Sequence, residues 1–148
     1  MCEKLAKTAP RYTLVISSPL PRAKETAQRI AGRLDAVEPG LLPDLGGQAS
    51  RLFGEMRTLA DWARLAARDE TARKFADEQL PVWSRIASRV GERDRILAVS
   101  HGGIVDLPAI VLMRQLGIGI DLPSFGYWEG VRITYVNGAP AALEVLRA

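Results

Sequence analysis

Ile96-Leu97-Ala98-Val99-Ser100-His101-Gly102-Gly103 is the stretch on which the reading of this chain turns. An apolar run ends in a serine, the only histidine of the sequence and two glycines, and Ile104-Val105 then restores the apolar character. A buried parallel strand has this form, a continuous apolar run closed by turn signals. Open α/β sheets take their ligands at the carboxyl ends of such strands. Glycines at the turn carry no side chain, so backbone N–H groups can approach an oxyanion at the start of the next helix. A histidine there can donate a hydrogen bond to a phosphoryl oxygen, or titrate near neutral pH. The same residues also suit a plain strand–turn–helix corner capped by a histidine, and this stretch alone does not choose between the two.

The whole chain narrows the choice. Its 148 residues suit one domain, 1–148, able to bury roughly 70% of its unfolded surface. Apolar residues make up 47% and charged residues 25%, a globular rather than a disordered composition. No apolar run reaches the ~18 residues of a membrane span. Met1 to Lys7 contain no signal-peptide core. The lone cysteine, Cys2, excludes an internal disulfide and fits a reducing cytoplasm. Sixteen arginines stand against four lysines, for a net charge of +3. Arg64, Arg68 and Arg73 lie among Asp61, Asp69 and Glu70 and read as a solvated helix face. There is no basic stripe with interleaved aromatics, so a nucleic-acid partner is not expected. An arginine excess does suit phosphate or carboxylate ligands where the right side chains converge.

Read in order, residues 1–8 suggest a short helical piece ended by Pro10. Tyr12-Thr13-Leu14-Val15-Ile16 is a β-branched and aromatic strand. It stops at Ser17-Ser18-Pro19-Leu20-Pro21-Arg22, where Ser18 suits an N-cap and Pro19 the first helical position. Leu20, Ala23, Ala27, Ile30, Ala31 and Leu34 then fall on one helical stripe. Residues 37–53 read as loop, with at most a short strand near Leu41-Leu42. Two helices follow. One covers about 54–69, with Met56, Leu59, Ala60, Ala63 and Ala67 inward; the other covers about 71–90, kinked or split at Pro81. The tryptophans there read as core. After the strand at 95–100, a nearly all-apolar helix runs from Gly103 to Leu116, and Pro108 is tolerable in it only within the first turn. Val131–Val136, the turn Asn137-Gly138 and Ala142–Leu146 form a hairpin. The order predicts an α/β fold in three layers: a mostly parallel sheet flanked by helices, with a C-terminal antiparallel hairpin at its edge.

Two strand ends therefore carry phosphate-compatible residues. Ser18-Pro19-Leu20-Pro21-Arg22-Ala23-Lys24-Glu25-Thr26-Ala27 matches an S-P-L-x-R-A-x-x-T-A segment, and Val99-Ser100-His101-Gly102-Gly103 matches V-S-H-G-G. In this order the two motifs resemble the histidine phosphatase superfamily, with its phosphoglycerate mutase-like fold, over most of the chain from Ala6 to Leu146. The resemblance implies that Arg22 is a phosphate-pocket arginine able to bind two oxygens at once. It implies that His101 is the second pocket histidine, assisted by the Gly102 N–H and by Ser18. The family often places a proton donor in an L-x-E-x-x-x-G setting, here Leu42-Pro43-Asp44-Leu45-Gly46, which makes Asp44 the candidate acid and Glu55 the alternative. The implied ligand is a small phosphorylated substrate or inorganic phosphate, with no metal or other cofactor.

The departures weigh as much as the matches. The family's nucleophile is a histidine in an R-H-G motif on an earlier strand. Only 16 residues precede Ser17, and none is His. The expectation is a partial, N-terminally truncated histidine phosphatase domain, its intact parent hydrolysing phosphomonoesters and this chain inactive or impaired. Loss of a nucleophile from a cooperating catalytic set costs on the order of 10⁶ in rate in a comparable hydrolase. The family's missing strand would leave the strand at 12–17 or at 95–100 with an unpaired buried edge, at about 1–3 kcal/mol per orphaned backbone group. An exposed edge makes a homodimer plausible. Asp106 also departs from the family, which commonly has a non-acidic residue there; a carboxylate pointing into an oxyanion pocket opposes binding. Two other readings stay open, a non-catalytic phosphate-binding module and an interaction domain in which both motifs are structural corners.

Overall fold

The computed structural model describes residues 11–42, 52 and 54–148. The expected N-terminal helical piece lies outside them. Strand β1 (Leu14–Ser17) is followed by helix α1 (Pro21–Ala31), the two-residue strand β2 (Ala36–Val37) and a 3₁₀ turn at Pro39–Leu41. Helices α2 (Leu59–Arg68) and α3 (Glu70–Ala87) lead to β3 (Ile96–Val99) and α4 (Asp106–Gln115), and β4 (Gly130–Val136) and β5 (Ala139–Leu146) close the chain.

The parallel sheet has the order β2-β1-β3. Leu14 pairs with Ile96 and Ser17 with Val99, in unbroken register. Helix α1 packs on β1 and β3. Ile16 meets Leu41 and Ile86 in a small buried cluster beneath the sheet, flanked by Val82 and Trp83 of α3. The larger core lies between helices. Leu59, Trp62 and Leu65 of α2, Phe75 and Ala76 of α3, and Leu107, Ile110 and Met113 of α4 belong to one buried cluster. Val131, Leu143 and Val145 of the hairpin cover part of it. Among the described residues the hairpin is a separate two-stranded sheet rather than a bonded edge of the parallel one. Its turn is as read from Asn137-Gly138, both residues having positive φ (50° and 77°), the twist that two-residue hairpins require.

Several boundaries move for identifiable reasons. The short strand falls at Ala36–Val37, pairing with Ile16 and Ser17, and Leu41 belongs instead to the 3₁₀ turn. Helix α2 begins at Leu59, not Gly54, because Thr58 and Asp61 form a reciprocal capping box there. Its Ala67 is exposed, whereas Trp62 and Leu65 are buried. Helix α3 is continuous through Pro81, whose ring lies on the exposed side. Pro108 is the third residue of α4, so it removes an N–H that the first turn leaves unbonded anyway. Ser18 is not an N-cap: α1 starts at Pro21 after Leu20, with no side-chain cap. That leaves the Ser18 hydroxyl for another partner.

The unpaired edge belongs to β3, since β1 is bonded on both sides among the described residues. It is not buried as expected. Ala98 is exposed and its neighbours in β3 are half-buried, so water can satisfy backbone groups that would otherwise be orphaned. No helix of the described residues is long and apolar enough to cross a membrane.

Candidate functional site

The β1–β3 ladder continues one step past both strands. The Ser18 N–H donates to the Val99 carbonyl at 2.9 Å. This rung sets the two strand ends side by side and brings together side chains 79 to 83 residues apart in sequence. His101 is buried, with 8% of its surface exposed. Arg22 Nε donates to His101 Nδ1 at 3.2 Å. His101 Nε2 lies 2.8 Å from Ser18 Oγ.

These contacts assign the proton. A guanidinium N–H can only donate, so Nδ1 must be the lone-pair nitrogen and the neutral ring carries its hydrogen on Nε2. Nε2–H then donates to Ser18 Oγ. Ser18 Oγ also lies 3.4 Å from the Leu20 N–H, and its own O–H remains able to donate. Burial pushes the His101 imidazolium down to a pKa of about 4, and the nearby Arg22 charge pushes in the same direction. At neutral pH the cluster thus holds one fixed positive charge, on Arg22, and one neutral histidine. Arg22 itself is exposed at the first turn of α1. Among the described residues no carboxylate pairs with it.

The turn after β3 has its own supports. The Ser100 hydroxyl donates to the Leu41 carbonyl at 3.2 Å, fastening the strand end to the 3₁₀ turn. Gly103 has φ +73°, a conformation that strains any residue with a Cβ. Asp106 is fully buried and bonded to two backbone amides rather than to Arg22, Ser18 or His101. Its Oδ2 accepts the Gly103 N–H at 2.7 Å and its Oδ1 accepts the Phe125 N–H at 2.9 Å. The opposition expected from this carboxylate is removed by its orientation. Burial holds its pKa above the ordinary carboxylate value, and the Phe125 and Gly103 amides offset that rise only in part. The Gly102 N–H has no partner among the described residues.

The sequence reading proposes Arg22, Ser18, His101 and Gly102, and the fold links the first three in one chain of hydrogen bonds through His101. It missed the hold of Asp106 on Gly103. The only signal was an acid three residues beyond a turn glycine, the spacing of a local side-chain-to-amide bond. Asp44 lies outside the described residues. Glu55 is exposed and makes no hydrogen bond to Arg22, Ser18 or His101. No group of three or more His, Cys, Asp or Glu side chains among the described residues is placed to hold a metal ion. A shallow depression of about 300 Å³ is lined by Ala60, Ala63, Arg64, Ala67, Arg114 and Ile120, none of them part of this cluster.

A guanidinium, an imidazole and a hydroxyl linked in one chain of hydrogen bonds are groups able to donate to the oxygens of a tetrahedral anion. No curated protein and no solved structure matches the chain. The family model described as the histidine phosphatase superfamily (branch 1) matches residues 2–130. That span holds both strand ends, the parallel sheet and helices α1 to α4 of the described residues, and stops where the hairpin begins. The chain belongs to the histidine phosphatase superfamily.

Proposed function

We propose that this chain carries the phosphate-recognition part of a histidine phosphatase site. Arg22, Ser18, His101 and the Gly102 N–H receive the phosphoryl group of a small phosphorylated substrate. The Arg22–His101 contact is the observation behind this reading, since two residues 79 positions apart are brought together at adjacent strand ends. Phosphomonoester hydrolysis by the family's two-histidine route needs a nucleophile besides His101, and the sequence has one histidine in all. In this reading the chain alone binds phosphate and does not turn over, and hydrolysis belongs to a polypeptide that also supplies the R-H-G histidine. Asp44 is the proposed acid of that reaction, with Glu55 as the alternative.

Arg22 and His101 occupy each other in the resting site. A phosphoryl group draws Arg22 Nε away from His101 Nδ1, and the freed nitrogen can then take a proton. The approaching negative charge favours that protonation, because an opposite charge stabilises the ionised form. Ligand binding is therefore coupled to proton uptake by His101.

The single histidine equally favours a non-catalytic phosphate-binding module. Calorimetry with inorganic phosphate, paired with a p-nitrophenyl phosphate assay, separates these readings. The expected result is phosphate binding that weakens at least about tenfold in Arg22→Ala, the loss of one charge-assisted contact of ~1.5–3 kcal/mol, together with ester turnover no faster than in buffer. Restored turnover on adding a segment that contains R-H-G assigns the chain to a phosphatase. No restoration, with phosphate binding intact, assigns it to the binding module. The absence of phosphate binding in both proteins leaves only an interaction domain.

A further inference from the structure

We infer that Asp106 is a positioning residue of the phosphate turn: it withholds the Gly103 N–H from the ligand and leaves Gly102, of the two glycines, as the amide that donates. This rests on the phosphate reading of the site and adds a division of labour within its turn.

The geometry is specific. Asp106 is fully buried and spends one carboxylate oxygen on each of two backbone amides, Gly103 at 2.7 Å and Phe125 at 2.9 Å. Both contacts are charge-assisted, the stronger class of hydrogen bond. A phosphoryl oxygen would have to displace a buried carboxylate to reach Gly103. The Gly102 N–H, one residue earlier, has no such partner among the described residues. The left-handed backbone of Gly103 (φ +73°) is the conformation in which its N–H meets Asp106.

The second oxygen ties the same turn to a remote segment. The Phe125 ring lies under the Arg147 guanidinium, 5.1 Å from ring centroid to cation. Arg147 also donates to the carbonyls of Pro123 at 2.7 Å and Ser124 at 3.2 Å, and pairs with Glu129 at 2.7 Å. The turn is thereby anchored through Asp106 to a segment that Arg147, just past the last strand, clasps. This anchoring fixes where Gly102 and His101 stand relative to Arg22.

Amide-resolved NMR with inorganic phosphate tests the assignment on the unaltered chain. The expected result is that the Gly102 amide, the Arg22 Nε–H and the His101 ring signals shift with phosphate, while the Gly103 and Phe125 amides stay in place. In Asp106→Asn the side chain keeps one acceptor oxygen for two amides, so the Gly103 amide is expected to join the phosphate response. Two outcomes overturn the assignment: equal movement of Gly103 and Gly102 in the unaltered chain, or a Gly103 amide that stays silent in a folded Asp106→Asn variant. If the variant does not fold, the unaltered chain decides alone. Absence of any shift at Arg22, His101 or either glycine defeats the phosphate reading itself, a result distinguishable from movement at the wrong glycine.

Discussion

The helical cluster and the parallel sheet are built to different standards. The cluster joins α2, α3 and α4 through large side chains such as Trp62, Leu107 and Met113, each at most 1% exposed. The sheet rests on the much smaller group of Ile16, Leu41 and Ile86, and its β3 strand is half-open to solvent. Yet the sheet ends, not the helices, hold Arg22, Ser18 and His101. The difference teaches that cohesion and the proposed ligand site are carried by separate parts of this chain, joined at Ile104–Asp106, where the turn after β3 runs directly into the helical core.

Substitutions on either side can break that comparison. The largest loss of stability is expected from Trp62→Ala, which removes a buried indole and its Nε1–H bond to Ser124 Oγ (3.1 Å). Urea unfolding should show a loss of about 3–5 kcal/mol, with phosphate affinity retained in the fraction that remains folded. Ile16→Ala opens the thin cluster instead. Its cost should fall near the lower end of the ~2–5 kcal/mol range for such changes, because a small cluster beside solvent can collapse into the space. If Ile16→Ala proves as costly as Trp62→Ala, the sheet is not the lighter half.

A third expectation concerns pH. His101 titrates near 6.5 when unfolded and about 4 when folded. Between those values the unfolded chain binds a proton that the folded chain refuses, so stability falls as pH drops from about 6.5 towards 4 and loses no more from this group below that. His101→Gln should flatten that part of a plot of stability against pH, measured by chemical denaturation. An unchanged slope would show that other groups set it. The smallest effect on stability is expected from Arg22→Ala, about 1 kcal/mol for the lost bond to the buried His101 ring, although the same change should abolish most phosphate affinity. A thermal melt beside a phosphate titration checks both halves of that statement.

The legible parts of the fold were those written in local chemistry. The Asn137-Gly138 turn, the Pro108 position in the first turn of α4 and the strand at 96–99 follow from single residues and short patterns. The end of α4 at Gly117 (φ +70°) is of the same kind. What escaped depends on competition between equally plausible local partners. Ser18 suits a helix cap by type, but the chain spends its hydroxyl on His101 because the Ser18–Val99 rung places the ring beside it. Asp106 looked like a threat to the pocket because a sequence does not say which way a carboxylate turns. The amides of Gly103 and Phe125 give it a reason to turn inward. The candidate site was proposed as residue types through a family resemblance, whereas the hydrogen bonds among Arg22, His101 and Ser18 were not legible in the sequence.

The pairing of β1 with β3 also has a consequence in time. The hairpin closes across a two-residue turn, and α2 and α3 are consecutive, so these parts can form from local contacts. The rung from Ser18 to Val99 joins segments on either side of α1, α2 and α3, and ordering the chain between them has an entropic cost that local contacts avoid. The Arg22–His101–Ser18 cluster is therefore expected to be a late acquisition in folding: a chain with its hairpin and helices in place lacks the proposed phosphate site until this most distant closure is made.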